Sequence, residues 1–481
     1  KGKKQKFSFR LVKVKEVKKI ILKLRTRSAP GPDGIDTEIL KMAIDVLAVP
    51  LTNIINKSLA TGVFPENWKV ARISPIYKQK GKRTDCNSYR PISCLSVPSK
   101  ILETCAKIQI VNFFEANKLF AKSQHGFRNK RSTMSALISM NNTWLNALDK
   151  KKFAGVLSFD LSSAFDSIDQ SILCDKLSLY GFDHTSLSWV KSYLTNRSQY
   201  VQIGPNASTL AFIITGSPQG SCISPIFFII LIADIDEWTC HAIIDGFADD
   251  NNATVVGDEI SDVVKKLEED AGNILSFMSS NKLLANESKT SFIFFGKRPP
   301  GDELKIRVGN EVITETATLK FLGINFSSDL KWDTHVTKLK NVLLSRLYLI
   351  RHLSTIIPRS CMKIIADGLF NSTLRYGICL FLRPCLYITD PIYTDRSAQN
   401  IILRHGARDK PYSQIHRSLL YCYSISIKLC GKKSIRCRKA EGFTTYAAKL
   451  LNALPENIRK MENSKPAFKT ELNSWIKNNI K

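Results

Sequence analysis

Aspartates set inside apolar, strand-forming sequence constrain this chain more than any other feature. Ala154-Gly155-Val156-Leu157-Ser158-Phe159 reads as a short buried strand, and Asp160 stands at its end, opening the motif that runs on through Phe165 and Asp166. Further along, His241-Ala242-Ile243-Ile244-Asp245-Gly246-Phe247 and Ala253-Thr254-Val255-Val256 flank the turn Ala248-Asp249-Asp250. That is the pattern of a β-hairpin with the paired acids at its tip. A carboxylate in such surroundings is costly to bury unless a cation neutralises it. If the hairpin lies beside the first strand, Asp160, Asp249 and Asp250 converge, and hard oxygen ligands of that kind suit Mg²⁺. Two such ions could clamp the attacking and leaving oxygens of a phosphoryl transfer. Asp-Asp is also an ordinary turn dipeptide, so the reading depends on what else the chain carries.

Between the acidic motifs, Thr215-Gly216-Ser217-Pro218-Gln219-Gly220-Ser221 leads through Ser224-Pro225 into the apolar run Ile226 to Leu231. The glycines let backbone approach a ligand closely, and Ser224-Pro225 reads as an N-cap followed by a first-turn proline. A loop therefore opens directly into a buried helix.

The 481 residues include 70 Lys+Arg against 42 Asp+Glu, a formal charge of +28, with a pI near 9.6. Such a balance favours a polyanionic partner, either nucleic acid or an anionic membrane surface. The longest apolar stretch, Ile226 to Ala233, is too short to cross a bilayer, and no secretory signal opens the chain, so a soluble intracellular protein is expected. The 12 cysteines lack a Cys-x-x-Cys pair and read as reduced thiols; Cys422, Cys430 and Cys437, the nearest approach to a cluster, are irregularly spaced for zinc. The seven histidines are dispersed and support no catalytic pairing.

The order of first aspartate motif, Pro-Gln-Gly loop and Ala-Asp-Asp hairpin resembles that of reverse transcriptases, and more closely those of non-LTR retrotransposons of the jockey and CR1 type. Ser28-Ala29-Pro30-Gly31-Pro32-Asp33-Gly34-Ile35, Tyr89-Arg90-Pro91-Ile92-Ser93, Gln124-His125-Gly126-Phe127-Arg128, Asn286-Glu287-Ser288-Lys289-Thr290 and Phe321-Leu322-Gly323-Ile324 extend the likeness in colinear order. A set of this kind is far more specific than any one member.

The resemblance implies an α+β right-hand polymerase of fingers, palm and thumb, with an antiparallel palm sheet packed on helices, catalysing RNA-directed DNA synthesis. It implies two Mg²⁺ ions, with Mn²⁺ as an alternative, held by Asp160, Asp249 and Asp250. Lys78 and Arg90 fall at nucleotide-contacting positions of the fingers, and Gln219 at the loop residue that touches the incoming nucleotide. Phe165 corresponds to the steric gate against a ribose 2′-OH, although plain core packing would also account for it. Lys289 corresponds to a cation near the leaving pyrophosphate, able to act as general acid. The segment Gln124 to Thr133, with Arg128, Lys130 and Arg131, is implied to touch template. The partners implied are an RNA template, a DNA primer or target and dNTPs, with no membrane. The nucleus is the implied location, with a cytoplasmic ribonucleoprotein stage.

Along the chain, residues 1–27 read as a basic helical extension, 28–150 as fingers and the first part of palm, and 151–330 as palm. Residues 331–430 read as a helical thumb and 431–481 as a basic C-terminal segment. Val14, Val17, Ile20, Ile21 and Leu24 recur at helical spacing; so do Ile260, Val263, Val264, Leu267, Ala271, Ile274, Leu275 and Met278, and then Val336, Leu339, Val342, Leu343, Leu347 and Ile350. The chain opens on lysine, which suggests a fragment or a processed product, and the endonuclease common among such polymerases has no counterpart in it. Asn251-Asn252 is more polar than the return strand of such a hairpin usually is. Two other functions stay open: a binding protein that keeps the fold without polymerising, and an RNA-templated RNA polymerase, which Phe165 disfavours.

Overall fold

The computed structural model describes residues 6–26, 28–162, 167–285, 290–298, 301 and 303–381. The N-terminal amphipathic pattern forms α1 (Val14–Lys23), whose Val17, Ile20 and Ile21 are buried. It packs on α2 (Thr37–Met42) and α3 (Ile44–Thr61). β1 (Val70–Tyr77) and β2 (Tyr89–Cys94) pair as an antiparallel hairpin ahead of α4 (Val97–Ala116) and α5 (Thr133–Asp149). The first aspartate motif lies on β3 (Phe153–Ser162). Then come α6 (Gln170–Leu179), α7 (His184–Leu194), β4 (Arg197–Ile203), β5 (Asn206–Ala207), β6 (Ala211–Ile213) and α8 (Ser224–Leu231). The expected acidic hairpin is β7 (Ile243–Phe247) and β8 (Asp250–Gly257), followed by α9 (Ile260–Ser280), β9 (Leu284–Ala285) and β10 (Ser291–Phe295). Two small hairpins follow, β11 (Lys305–Val308) with β12 (Glu311–Thr314) and β13 (Thr318–Phe321) with β14 (Ile324–Ser327), before α10 (Asp333–Leu353) and α11 (Arg359–Ala366).

The central sheet runs β10-β3-β8-β7 with every pair antiparallel, and β9 adds to the far end of β3. Side chains alternate between its faces. Leu157, Phe159, Ala253 and Val255 join one core with Val263, Leu267 and Ile274 of α9. Ala154, Val156, Ile293 and Phe295 face a second core with Leu137, Met140 and Trp144 of α5. Trp144 stacks on Phe295 with centroids 4.6 Å apart, meets the edge of Phe326 at 5.0 Å, and donates its indole N–H to the Thr254 hydroxyl at 3.1 Å. This is the expected α+β arrangement, an antiparallel sheet backed by helices.

A second sheet has the order β2-β1-β4-β5, with β6 also on β4, and its β1–β4 pair is parallel. Since β4 follows the first aspartate motif, segments from both sides of β3 build this sheet, a long-range pairing that local sequence pattern does not display.

Two local details differ from the sequence reading. The helix α8 is buried except at the half-buried Pro225, but Ser224 is its first residue and not its cap; the Ser221 hydroxyl ahead of it accepts the N–H groups of Ile223 at 3.1 Å and Ser224 at 3.2 Å. Ser224 instead donates to the Pro218 carbonyl at 3.2 Å. On α10 the buried residues are His335, Leu339 and Leu343, while Val342 is exposed, so the inward stripe is narrower than the spacing suggests. The C-terminal basic segment and Cys422, Cys430 and Cys437 lie outside the described residues.

Replacing Trp144 by alanine removes the largest side chain between α5 and the central sheet and strands the Thr254 hydroxyl. Trp144→Ala is expected to destabilise the protein by about 3–5 kcal/mol, read as a lower urea midpoint by far-UV circular dichroism.

Candidate active site

The register of β3 on β8 sets Asp160 opposite Asp250, and that of β7 on β8 sets Phe247 opposite Asp250, so Ala248 and Asp249 form the turn. Leu161 N–H donates to the Asp249 carbonyl at 3.4 Å, tying the turn to the residue beside Asp160. The backbone thus brings the residues at 160, 249 and 250 to one end of the central sheet. Asp249 is half-buried and Asp250 exposed. The side chain of Asp160, all of Phe165 and all of Lys289 lie outside the described residues, and among the described residues no group of three His, Cys, Asp or Glu is placed to hold a metal ion.

Buried polar side chains from distant segments hold this hairpin. Ala248 has a φ of 60°, a left-handed conformation that costs a residue with a Cβ about 1–2 kcal/mol. The Gln124 side chain accepts the Ala248 N–H at 2.8 Å and donates to the Ala248 carbonyl at 3.2 Å. The Asn251 amide donates to the Asp249 carbonyl at 3.0 Å, which gives the polar return strand a use. At the base of β7, the fully buried Asp270 of α9 accepts the backbone N–H groups of Cys240 at 2.7 Å, His241 at 2.8 Å and Ala242 at 2.5 Å.

The Pro-Gln-Gly loop is docked against β2. Ser93 N–H donates to the Gln219 carbonyl at 2.7 Å, and a Cβ on Gly220, whose φ is +130°, would stand 2.5 Å from the Ser93 carbonyl oxygen. Beneath the loop, the buried Glu103 of α4 accepts from Ser99 Oγ at 2.9 Å, Ser221 Oγ at 2.7 Å and Cys222 N–H at 2.8 Å. Gln219 is thereby set beside the strand that carries the exposed Arg90. Lys78 is exposed at the end of β1, its ammonium donating to the Asn87 carbonyl at 2.9 Å within its own basic loop. That loop is closed by Tyr77, which donates to the Gly81 carbonyl at 2.7 Å and lies under the Arg83 guanidinium at 5.5 Å.

The segment after Gln124 is more internal than its charge suggests. Arg128 forms a bidentate pair with Glu115 at 3.0 and 2.8 Å and donates to the Ala121 carbonyl at 2.7 Å. Arg131 donates to the carbonyls of Lys122 at 2.6 Å and Gln124 at 3.1 Å. Lys130, with a φ of 63°, is exposed. The structural parts played by Gln124, Glu103 and Asp270 escape sequence reading. The only signals are an acid among apolar neighbours in α4 and an acid inside the buried stripe of α9.

Residues 76–326 match the family described as reverse transcriptase (RNA-dependent DNA polymerase). The RNA-directed DNA polymerase from mobile element jockey of Drosophila melanogaster is 27% identical over 382 residues, covering 77% of this chain and 41% of that protein. The probable RNA-directed DNA polymerase from transposon BS of the same species is 26% identical over 334 residues, 68% of this chain and 37% of that protein. The chain thus spans about two-fifths of the length of these curated relatives. Among solved structures, apo telomerase from Candida tropicalis, truncated from its C-terminal domain, aligns over 55% of each chain at 15% identity with a TM-score of 0.36.

Two buried titratable groups lie at the hairpin, Asp245 on β7 itself and His125 on the segment alongside it. Burial, reinforced by the nearby Asp236 and opposed by Ser139 and Arg131, pushes the Asp245 carboxyl from its ordinary 3.8 up to about 7. Burial beside Arg131 and Arg128 pulls His125 down to about 4, and its Nδ1 lies 2.7 Å from the Ser135 hydroxyl. The signs oppose. The folded protein holds the Asp245 proton more tightly than the unfolded chain, so this group's contribution is lost as pH rises from about 4 to about 7. The contribution of neutral His125 is lost as pH falls from about 6.5 to about 4. Asp245→Asn is expected to match the wild type near pH 4 and to exceed its melting temperature at pH 8, a gain on the order of 2–4 kcal/mol. Thermal melts across that range check it.

Proposed function

The chain belongs to the reverse transcriptase (RNA-dependent DNA polymerase) family, which its residues 76–326 match, and on that premise we propose that it extends a DNA 3′ end on an RNA template as the polymerase of a non-LTR retrotransposon. The observation that carries this reading is the pairing of Asp160 with Asp250 across β3 and β8, with Asp249 tied to Leu161 at the same end of the sheet. The names of the relatives support it, the RNA-directed DNA polymerase from jockey and the probable RNA-directed DNA polymerase from BS.

The donor set fits Mg²⁺. Carboxylates are hard ligands, and a position at the end of the sheet, with Asp249 half-buried and Asp250 exposed, suits an ion that keeps waters and substrate phosphates in its shell. Asp160, Asp249 and Asp250 would hold it. Ions bound there would supply charge neutralisation at the attacking 3′-oxygen and the departing pyrophosphate.

The chain's own residues position the reactants. Arg90 and Lys78 take the triphosphate, Arg90 as a planar fork suited to phosphate oxygens. Gln219 contacts the incoming nucleotide from a loop hydrogen-bonded to the strand of Arg90. Phe165 as steric gate and Lys289 as general acid enter from motif order. Lys130 is the exposed cation offered to template, and Arg128 and Arg131 shape the segment that carries it. On this reading residues 28–150 supply fingers and part of the palm, 151–330 the palm with β4–β6 reaching back to the fingers sheet, and 331–430 the thumb, of which 382–430 lie outside the described residues. The net charge of +28 supports salt-sensitive, sequence-independent affinity for a template–primer duplex. No helix among the described residues is long and apolar enough to cross a membrane. With chromosomal DNA as the target on this reading, the proposed location is the nucleus, with a cytoplasmic ribonucleoprotein stage.

Primer extension on an RNA template with dNTPs and Mg²⁺ tests the proposal. The wild type is expected to extend, and Asp249→Asn to lose about a thousandfold in rate with template binding kept. RNA binding without extension by a folded wild type points instead to a binding protein that has kept the fold.

A further inference from the structure

The turn that presents the carboxylates has a backbone its own residues disfavour. Ala248 is the first of the two residues between β7 and β8 and has a φ of 60°, whereas Asp249 is not left-handed. Positive φ at the first turn position alone is the type II′ pattern, where glycine is the usual occupant. An alanine there needs an external hold, and Gln124 supplies it from 124 residues away in sequence.

The side-chain amide of Gln124 grips both faces of residue 248, accepting its N–H at 2.8 Å and donating to its carbonyl at 3.2 Å. The same oxygen accepts Gly126 N–H at 2.6 Å, which aims the amide. Gly126 permits the approach, since a Cβ there would stand 2.5 Å from the Ala248 nitrogen. The segment is laid along β7 by His125 N–H to the Gly246 carbonyl at 2.8 Å and Gly246 N–H to the Ser123 carbonyl at 3.1 Å. Gln124 is 2% and Ala248 5% exposed, so water does not replace the amide when it is removed.

We infer that Gln124 is a positioning residue for the acidic hairpin, setting the backbone of Ala248 and through it the direction in which Asp249 and Asp250 leave the turn. What the carboxylates then do rests on the polymerase reading above; the clamp itself does not. The Gln-His-Gly run is thus a splint under the carboxylate turn, and the template is met by the exposed residues that follow it.

Gln124→Met keeps side-chain length and deletes the hydrogen bonds. It is expected to raise the Mg²⁺ needed for half-maximal extension about tenfold and to lower kcat about 10–100-fold, with affinity for template–primer unchanged. Adding Ala248→Gly to that variant is expected to recover about fivefold or more, because glycine takes the left-handed conformation without a Cβ penalty. Without any reference to activity, amide hydrogen exchange in the peptide spanning 246–252 is expected to quicken about tenfold in Gln124→Met, with the peptides of α9 unchanged. Unchanged exchange over 246–252, no recovery with glycine, or lost template affinity at an unaltered Mg²⁺ requirement would overturn the inference. A wild type that does not extend defeats the polymerase reading, and the exchange measurement still decides the clamp.

Discussion

The register of β3 against β8 is the constraint on which the rest of the site depends. Asp160 faces Asp250 because Leu157 faces Ala253 and Val156 faces Thr254 further along the same ladder. Those inner pairs are buried on both sides of the sheet, against α9 on one face and α5 on the other. A slip of one residue would turn every side chain to the opposite face. The apolar packing of the sheet interior therefore sets the meeting of the acids at its end, and no contact between the acids themselves is needed to bring them together.

Where the packed sheet ends, buried polar side chains take over. The hairpin is held at its tip by Gln124 and Asn251 and at its base by Asp270, and the Pro-Gln-Gly loop is held from below by Glu103. Each of these side chains binds backbone N–H or carbonyl groups of a segment that makes no ladder there. Loops that carry function lack the regular hydrogen bonding of helices and strands, and a buried loop without partners is costly. Side chains on helices α4 and α9, on β8 and on the segment before α5 supply those partners, so the irregular parts of the site are tied to the packed core.

Much of this was legible in advance. The strand ending near Asp160, the hairpin bearing Asp249 and Asp250, the helix after the Pro-Gln-Gly loop and the long helix behind the hairpin all follow from local periodicity and turn chemistry. Less legible was the use of individual polar residues. Arg128 and Arg131 read as cations for a template, and in the fold Glu115 and nearby carbonyls also engage their guanidinium groups. Ser224 is the first residue of α8 and not its cap, and the Ser221 hydroxyl accepts the N–H groups of Ile223 and Ser224 just ahead of the first turn. Val342 belongs to the apolar stripe of α10 by spacing and is nonetheless exposed. In each case the local pattern shows the residue type, and the surroundings that engage or expose it are set by packing.

The amino-acid sequence by itself determined the chemistry on offer: which acids stand in strand-forming surroundings, which basic and glycine-rich segments accompany them, and in what order they come. Periodicity encodes which face of an element leaves water, and that is a local property of the chain. Only the tertiary structure decided which polar groups meet. A hydrogen bond from Ala248 N–H to Gln124, or from Cys222 N–H to Glu103, spans more than a hundred residues, and its existence depends on how helices and sheet pack once the apolar faces have closed. The acids were therefore visible in the sequence, and the splint that aims them was not.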